Sequence, residues 1–338
     1  MKMTNETYAA IIANYLLSIP KAFGYSFTEP TLWVSGTYNV PYADNRKLQS
    51  VPIARKWLRK ALANLFTQKE IEKVKYIYGI PKAGIAPATL LALELNKLLL
   101  IKHEGKYYSI DLVKCASIFK NEAMTEFKDR VIVGTVPLGV PFGIVLAEKT
   151  GYPFLFVREK PKDHGKMKQV EGIARNGDWA ILMNPSFLDF KGYEKDASDA
   201  LSNEGIITSF TWNRDVSDLL TPVSEEELCN AWVIGTEDLV STAKSSLGEM
   251  LQIQALGANI LMCSNFNYGL PATKKSFGAH GIECRSVLMF QTLHQIMKYE
   301  LNMINDDDYL KLIDWFNNQP NWGDLNNFPS KKKEEVKA

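Results

Sequence analysis

The chain has 338 residues, more than one ordinary domain of about 100–200 residues needs. Its 46% hydrophobic and 23% charged residues exclude wholesale disorder and fibrous repeats. With 39 basic against 38 acidic side chains, a net charge of +1, a broad nucleic-acid-binding face is excluded while a local anion site is not. Cys115, Cys229, Cys263 and Cys284 lie far apart with no CxxC, which speaks for reduced thiols in a cytosol-like compartment rather than a zinc ribbon or disulfide framework.

In chain order, Tyr8 to Ile19 is apolar enough to imitate a signal peptide. Glu6 precedes it and no small-residue cleavage site follows, so an amphipathic helix ending before Pro20 is expected. A Gly/Pro-broken segment runs from Ser35-Gly36 to Pro41-Tyr42-Ala43-Asp44-Asn45-Arg46, and a helix with Pro52 in its first turn follows. Val74 to Tyr78, a Gly/Pro loop, an Ala/Leu helix through Leu95 and Leu98 to Ile101 spell strand, turn, helix, strand. That is the unit of a parallel sheet. Val131 to Ala147 carries no charge, but three glycines and two prolines make it strand, loop and helix rather than a membrane span. No membrane contact is expected.

The βαβ unit recurs. An offset of 55 residues sets Gly79 on Gly134, Gly84 on Gly139, Leu91-Ala92 on Leu146-Ala147 and Leu100 on Leu155 without a gap. Downstream, an offset of 52 sets Gly205 on Gly257 and Ile181-Leu182 on Val233-Ile234. Two copies of one α/β core are expected, one threaded into the other: an outer core of 1–127 plus 224–338 and an inserted core of 128–223. Insertion is tolerated at exposed loops. The simpler alternative has a single sheet in which 74–127 is decoration.

Two segments carry chemistry. In the first, the apolar run from Val233 ends in Glu237-Asp238, followed by the small, hydroxyl-rich Ser241-Thr242-Ala243-Lys244-Ser245-Ser246 and a helix. Backbone N–H groups of such a turn at a helix N-terminus suit a phosphate, and the carboxylates before it suit sugar hydroxyls. GxxxxGK[ST] is absent, so this is not a Walker loop. In the second, Arg158-Glu-Lys-Pro-Lys162-Asp163-His164-Gly165-Lys166-Met-Lys168-Gln-Val-Glu171-Gly172 concentrates cations and a histidine in a loop. Such a loop can close on an anion; His164 could move a proton near neutrality and Lys162 could offset charge on a leaving group.

Together these segments resemble orotate phosphoribosyltransferases, within the type I phosphoribosyltransferase fold. Glu237-Asp238-Leu-Val-Ser-Thr-Ala-Lys-Ser-Ser is similar to the phosphoribosyl-pyrophosphate (PRPP) motif, and Arg158 with Lys162-Asp163-His164-Gly165 to the catalytic loop of the orotate branch. Val34-Ser35-Gly36 through Arg46 resembles the N-terminal hood. Asn265 to Pro271 with Trp322-Gly323 resembles the C-terminal part. Ala243, Lys244 and Glu159 depart from the usual pattern, the first two at positions often glycine, the third where a basic residue usually stands.

The resemblance implies a parallel sheet flanked by helices with an N-terminal hood. It also implies transfer of ribose 5-phosphate from PRPP to orotate, giving orotidine 5′-monophosphate and pyrophosphate in pyrimidine biosynthesis. Mg²⁺ would be bound mainly through the pyrophosphate, with no dedicated protein metal site. Carried over by position, Lys162, His164 and Asp238 are catalytic; Arg158, Glu237, Asp238 and Ser241, Thr242, Ala243, Lys244, Ser245 and Ser246 bind PRPP; Tyr42 stacks on the base. The family pairs two subunits, the basic loop of one closing over the other's PRPP site. In this chain the outer core has the acidic motif but no such loop after Ile101, and the inserted core has the loop but Pro185 and Ser186, at the 52-residue offset, in place of the acids. An intrachain pseudo-dimer, or a homodimer, of a cytoplasmic enzyme is the expectation. Transfer to another base, and PRPP sensing without catalysis, are the alternatives.

Overall fold

A computed structural model describes residues 3–33, 36–121, 130–160, 169–173, 175–187 and 193–328. The first helix, α1 (Asn5–Ser18), is capped by the Thr4 side chain and buries Ala9, Ile12, Ala13 and Leu16 on one stripe. Four short strands follow: β1 (Phe23–Tyr25), β2 (Thr31–Leu32), β3 (Tyr38–Asn39) and β4 (Pro41–Ala43). They pair antiparallel as β1 with β4 and β2 with β3. Then come α2 (Arg46–Ser50), α3 (Pro52–Asn64) and α4 (Gln68–Lys73), the last opened by a Thr67/Glu70 capping box.

The next elements alternate: β5 (Val74–Gly79), α5 (Ile85–Leu95), β6 (Leu98–His103), β7 (Lys106–Ile110) and α6 (Leu112–Asn121). A second series runs β8 (Arg130–Thr135), α7 (Gly139–Thr150), β9 (Phe154–Val157), β10 (Val170–Glu171), β11 (Trp179–Met183), α8 (Glu194–Asn203) and β12 (Ile207–Trp212). The chain closes with β13 (Leu220–Val223), α9 (Glu225–Leu228), β14 (Trp232–Val240), α10 (Lys244–Ala255), β15 (Asn259–Asn267), α11 (Pro271–Gly278), β16 (Cys284–Met289), α12 (Phe290–Gln295), α13 (Asp306–Asn318) and α14 (Trp322–Leu325).

These strands form two separate large sheets, not one. The seven-stranded sheet runs β13-β7-β6-β5-β14-β15-β16 and the five-stranded sheet β10-β9-β8-β11-β12. The single-sheet alternative is therefore overturned. In each, the central strands are parallel and an antiparallel strand lies beside the second strand of the series, β7 on β6 and β10 on β9. Central strands such as β5 and β9 are almost wholly buried, as parallel strands covered on both faces must be.

One boundary and one offset read from the sequence need correction. Leu220–Val223, assigned to the inserted segment, pairs antiparallel with β7 of the seven-stranded sheet. Its Pro222 cannot donate to a ladder and sits on an edge strand, where that donor is not needed, and such a short run gives little periodicity to read. The 52-residue offset is also one short at the decisive point. Met183 lies opposite Gly134 in one sheet as Thr236 lies opposite Gly79 in the other, so Asn184 and Pro185, not Pro185 and Ser186, stand in the places of Glu237 and Asp238. The one-residue difference arises after the strands, since 22 positions separate Met183 from Gly205 and 21 separate Thr236 from Gly257.

The two sheets meet through α5 and α7, the helices that follow the paired glycine turns, and these pack on each other. One apolar cluster crosses the junction, joining Ile77 and Leu99 of one sheet to Ile132, Phe154 and Ile181 of the other. Arg55 of α3 is buried there. Its guanidinium reaches Glu148 Oε1 at 2.6 Å and donates to the carbonyls of Gln49, Ala147 and Tyr152, which stitches α3 to the C-terminal end of α7. A buried arginine is tolerated because each of its three nitrogens finds an acceptor. Among the described residues, no helix is long and apolar enough to cross a membrane.

Candidate active site

The acidic segment lies at the C-terminal end of β14, beside β15 and β5, where ligands of open parallel sheets are held. Glu237 and Asp238 alternate faces, as successive strand residues must. Glu237 is buried; its Oε2 accepts from Ser246 Oγ of α10 at 3.1 Å and its Oε1 from the Asp238 N–H at 3.0 Å. Burial, reinforced by the adjacent charge of Asp238, raises the Glu237 carboxyl well above its usual range. Asp238 turns instead toward the N-terminal segment, with Oδ2 4.0 Å from Arg46 Nε.

The turn that follows is held from the side by α11, where the Thr273 hydroxyl donates to the Ser241 carbonyl. Ala243 has φ of 62° and caps α10 in the left-handed conformation. Thr242, Lys244 and Ser245 are exposed, Ser241 is half-buried, and Ser246 faces inward to Glu237. The turn thus offers hydroxyls and helix N-terminal amides outward while its last serine orders the acid behind it.

The basic segment is described only at its two ends. Arg158 leaves β9, its N–H donating to the Gln169 carbonyl at 3.0 Å, and the Gln169 side-chain amide returns to the carbonyls of Arg158 and Glu159. Lys162 and His164 lie outside the described residues. The ends of this segment reach the other sheet's acidic motif through a charge chain: Arg158 Nε is 2.9 Å from Glu171 Oε1, Arg46 NH1 is 2.7 Å from the same oxygen, and Arg46 Nε is 2.7 Å from Asp44 Oδ1. Burial works against the Arg46 charge, but Asp44, Glu171 and Asp238 outweigh it and raise its pKa.

Between the sheets opens a cleft of about 400 Å³, lined from the seven-stranded side by Gly79, Pro81, Lys82, Ile85 and Lys102 and from the five-stranded side by Val136, Pro137, Arg158, Glu159 and Lys160. Four cations against one carboxylate make it a site for an anion. Lys82 holds φ of 80° between Gly79 and Gly84, in a conformation non-glycine residues rarely adopt. Lys82 and Lys102 are not among the residues singled out from sequence, and Arg46 and Glu171 fall within segments read there without a role of their own. Lys82 alone was detectable there, as a lysine inside a Gly/Pro loop.

Tyr42 sits on β4 two residues before Asp44, half-buried; burial and the Asp44 charge push its hydroxyl up to about 12, so it stays a neutral donor. The hood strands are fixed to the sheet by Tyr268 at the end of β15, whose hydroxyl donates to the Pro41 carbonyl at 3.1 Å and accepts from Asn39 at 3.2 Å. Trp315 of α13 donates to the Tyr38 carbonyl at 3.0 Å, closing the hood from behind. Among the described residues, no three His, Cys, Asp or Glu side chains gather into a metal cage. One accessible carboxylate beside a cationic cleft fits a hard cation that arrives already held by an oxygen-rich anion.

No protein-family model matches the chain. It is similar along most of its length to a protein from Coxiella burnetii named orotate phosphoribosyltransferase, 23% identical over 315 residues, covering 93% of this chain and 98% of that protein. A Bacillus subtilis protein of the same name is 22% identical over 315 residues, covering 93% and 94%. The solved orotate phosphoribosyltransferase of Aeropyrum pernix is 11% identical with a TM-score of 0.44, covering 85% of this chain and 99% of that one.

Proposed function

We propose that the chain is an orotate phosphoribosyltransferase acting in the cytoplasm, built as an intrachain pseudo-dimer with one working site. On this reading 1–127 with about 220–338 form one core and the segment between them a second, inserted core. The shared cleft carries the reading: Lys82 and Lys102 come from one sheet, Arg158 and Lys160 from the other, so neither core has the complete cation set.

PRPP would lie with its 5′-phosphate on the Ser241–Ser246 turn, its ribose hydroxyls toward Asp238, and its pyrophosphate in the cationic cleft. Glu237, buried and tied to Ser246, orders the strand end from which Asp238 projects. Mg²⁺ held by the pyrophosphate would supply further charge neutralisation. In the reaction the bond from ribose C1′ to the pyrophosphate oxygen breaks and a bond from C1′ to the base nitrogen forms. The positive charge that develops on the ribosyl ring is offset by Asp238, and the negative charge that develops on the leaving pyrophosphate by Lys162 and the cleft cations. His164 assists as a proton carrier, and Tyr42 contributes a ring surface for the base.

The test is Mg²⁺-dependent pyrophosphate release from PRPP with orotate and a panel of other bases. Orotate-dependent release is expected. Lys162→Ala should keep PRPP binding while turnover falls by about 100-fold or more, the scale of losing a charge-stabilising group. Asp238→Ala should weaken PRPP binding and turnover together. Release with another base alone would reassign the acceptor; PRPP bound but left intact with every base would make the protein a sensor.

A further inference from the structure

The charge chain between the two sheets converges on one atom. Glu171 Oε1 lies 2.7 Å from Arg46 NH1 and 2.9 Å from Arg158 Nε, and the Glu171 side chain is only 4% exposed. Arg46 belongs to the N-terminal segment and touches Asp238; Arg158 belongs to the five-stranded side and lines the anion cleft. The same short stretch is locked to the N-terminal segment by its backbone, for the Ile173 N–H donates to Ser50 Oγ of α2 at 2.9 Å. Two guanidinium groups this close repel each other unless a carboxylate lies between them, and at low exposure both attraction and repulsion are strong.

We infer that Glu171 is a positioning residue that couples the two halves of the site. It touches no substrate. Its carboxylate fixes Arg158 at the mouth of the cleft and Arg46 beside Asp238 at one mutual setting, so the sugar-binding acid and the pyrophosphate-binding cations are held in register although different sheets carry them. This rests on the assignment of the cleft and Asp238 to PRPP made above. A group that sets geometry rather than binding affects turnover more than affinity, because misplacement of reacting parts by a fraction of an ångström weakens the transition state first.

Glu171→Gln keeps the size and one acceptor oxygen but removes the charge. Its kcat should fall tenfold or more while the dissociation constant for Mg²⁺-PRPP, measured by calorimetry without base, stays within about threefold of the parent. Glu171→Asp, which restores the charge, should recover part of kcat. Unchanged kcat in E171Q, or equal loss of kcat and Tm in E171Q and E171D, would overturn the inference. A second measurement needs no turnover: Arg46→Gln and Arg158→Gln should shift Mg²⁺-PRPP affinity non-additively with Glu171 present and additively in the E171Q background. Additivity in both backgrounds would refute the coupling. A parent protein that binds Mg²⁺-PRPP but turns over no base would defeat the transferase reading while leaving this cycle decisive for Glu171.

Discussion

Gly84 and Gly139 hold the same place in two different sheets. A methyl group on Gly84 would fall inside the van der Waals shell of the Thr236 carbonyl oxygen, and one on Gly139 inside that of the Met183 carbonyl oxygen. Each carbonyl ends the stretch of strand that runs beside the strand preceding the glycine, β14 beside β5 and β11 beside β8. The atoms in the way are backbone, which cannot turn aside as a flexible side chain can. Gly84→Ala and Gly139→Ala should each lower stability by at least about 2 kcal/mol. Urea unfolding with an unchanged m-value would check this. An alanine tolerated at either position would contradict the packing of that turn.

Ala243 offers the opposite case. It sits at φ of 62°, where a Cβ crowds the following carbonyl at a cost of about 1–2 kcal/mol. Part of that is returned because glycine loses more freedom on folding. Ala243→Gly should therefore raise stability by about 0.5–1 kcal/mol, read as a higher Tm, while relaxing the Ser241–Ser246 turn.

The raised Glu237 carboxyl gives a signed pH dependence. The unfolded chain loses this proton near the ordinary range of about 4.3, whereas the folded protein retains it to higher pH. Above that range the folded state binds more protons than the unfolded one, so this group's contribution falls as pH rises until its folded pKa is passed. Glu237→Gln removes the titration and keeps an acceptor for Ser246. The Tm of E237Q relative to the parent should climb as the pH rises above the ordinary carboxyl range. A difference independent of pH would show that Glu237 is ionised in the fold.

Tyr193 closes the corresponding region of the five-stranded sheet. Its hydroxyl accepts from the Val136 N–H at 2.7 Å and lies 3.0 Å and 2.7 Å from the carbonyl oxygens of Val136 and Val157, to which it donates. By the ladder register, Asn184, whose Oδ1 accepts from the Tyr193 N–H, stands where the other sheet has Glu237. Tyr193→Phe takes this donor from the Val136 carbonyl, while the Val136 N–H keeps its 3.1 Å bond to the Val157 carbonyl, and should cost about 1–3 kcal/mol of stability. Since the cleft assigned to PRPP is lined by other residues, Mg²⁺-PRPP affinity should be unchanged. A large affinity loss would mean that the region closed by Tyr193 takes part in binding.

Much of the site was legible before folding. The strand end at Glu237-Asp238, the turn Ser241–Ser246 and the basic run from Arg158 are contiguous, and their chemistry follows from residue type and local spacing. The contribution of Glu171 was not legible, because a glutamate in a polar stretch looks like any solvated carboxylate until two arginines 125 and 13 residues away are brought to its one oxygen. Lys102 was hidden for the same reason: it lies at the end of an apolar strand, and only sheet packing turns it into a cleft residue. The one-residue error at Pro185 came from anchoring the offset on Gly205 and Gly257, because the segment between strand and glycine is one residue longer in the inserted series and leaves no mark in the hydrophobic pattern.

The surplus of length first suggested a second domain, and local signals alone determined that it repeats a βαβ pattern. Glycine-tight turns, apolar strand runs and helix stops depend on neighbours a few residues apart, so sequence carries them. What only the tertiary structure decided is how the two series meet: two sheets joined through α5 and α7, a strand at 220–223 returned to the first sheet, and a cleft whose cations come from both. Those outcomes depend on ladder register and on burial of opposite charges across more than a hundred residues. No local pattern encodes them, because the free energy that selects them is released only when distant surfaces lose water together.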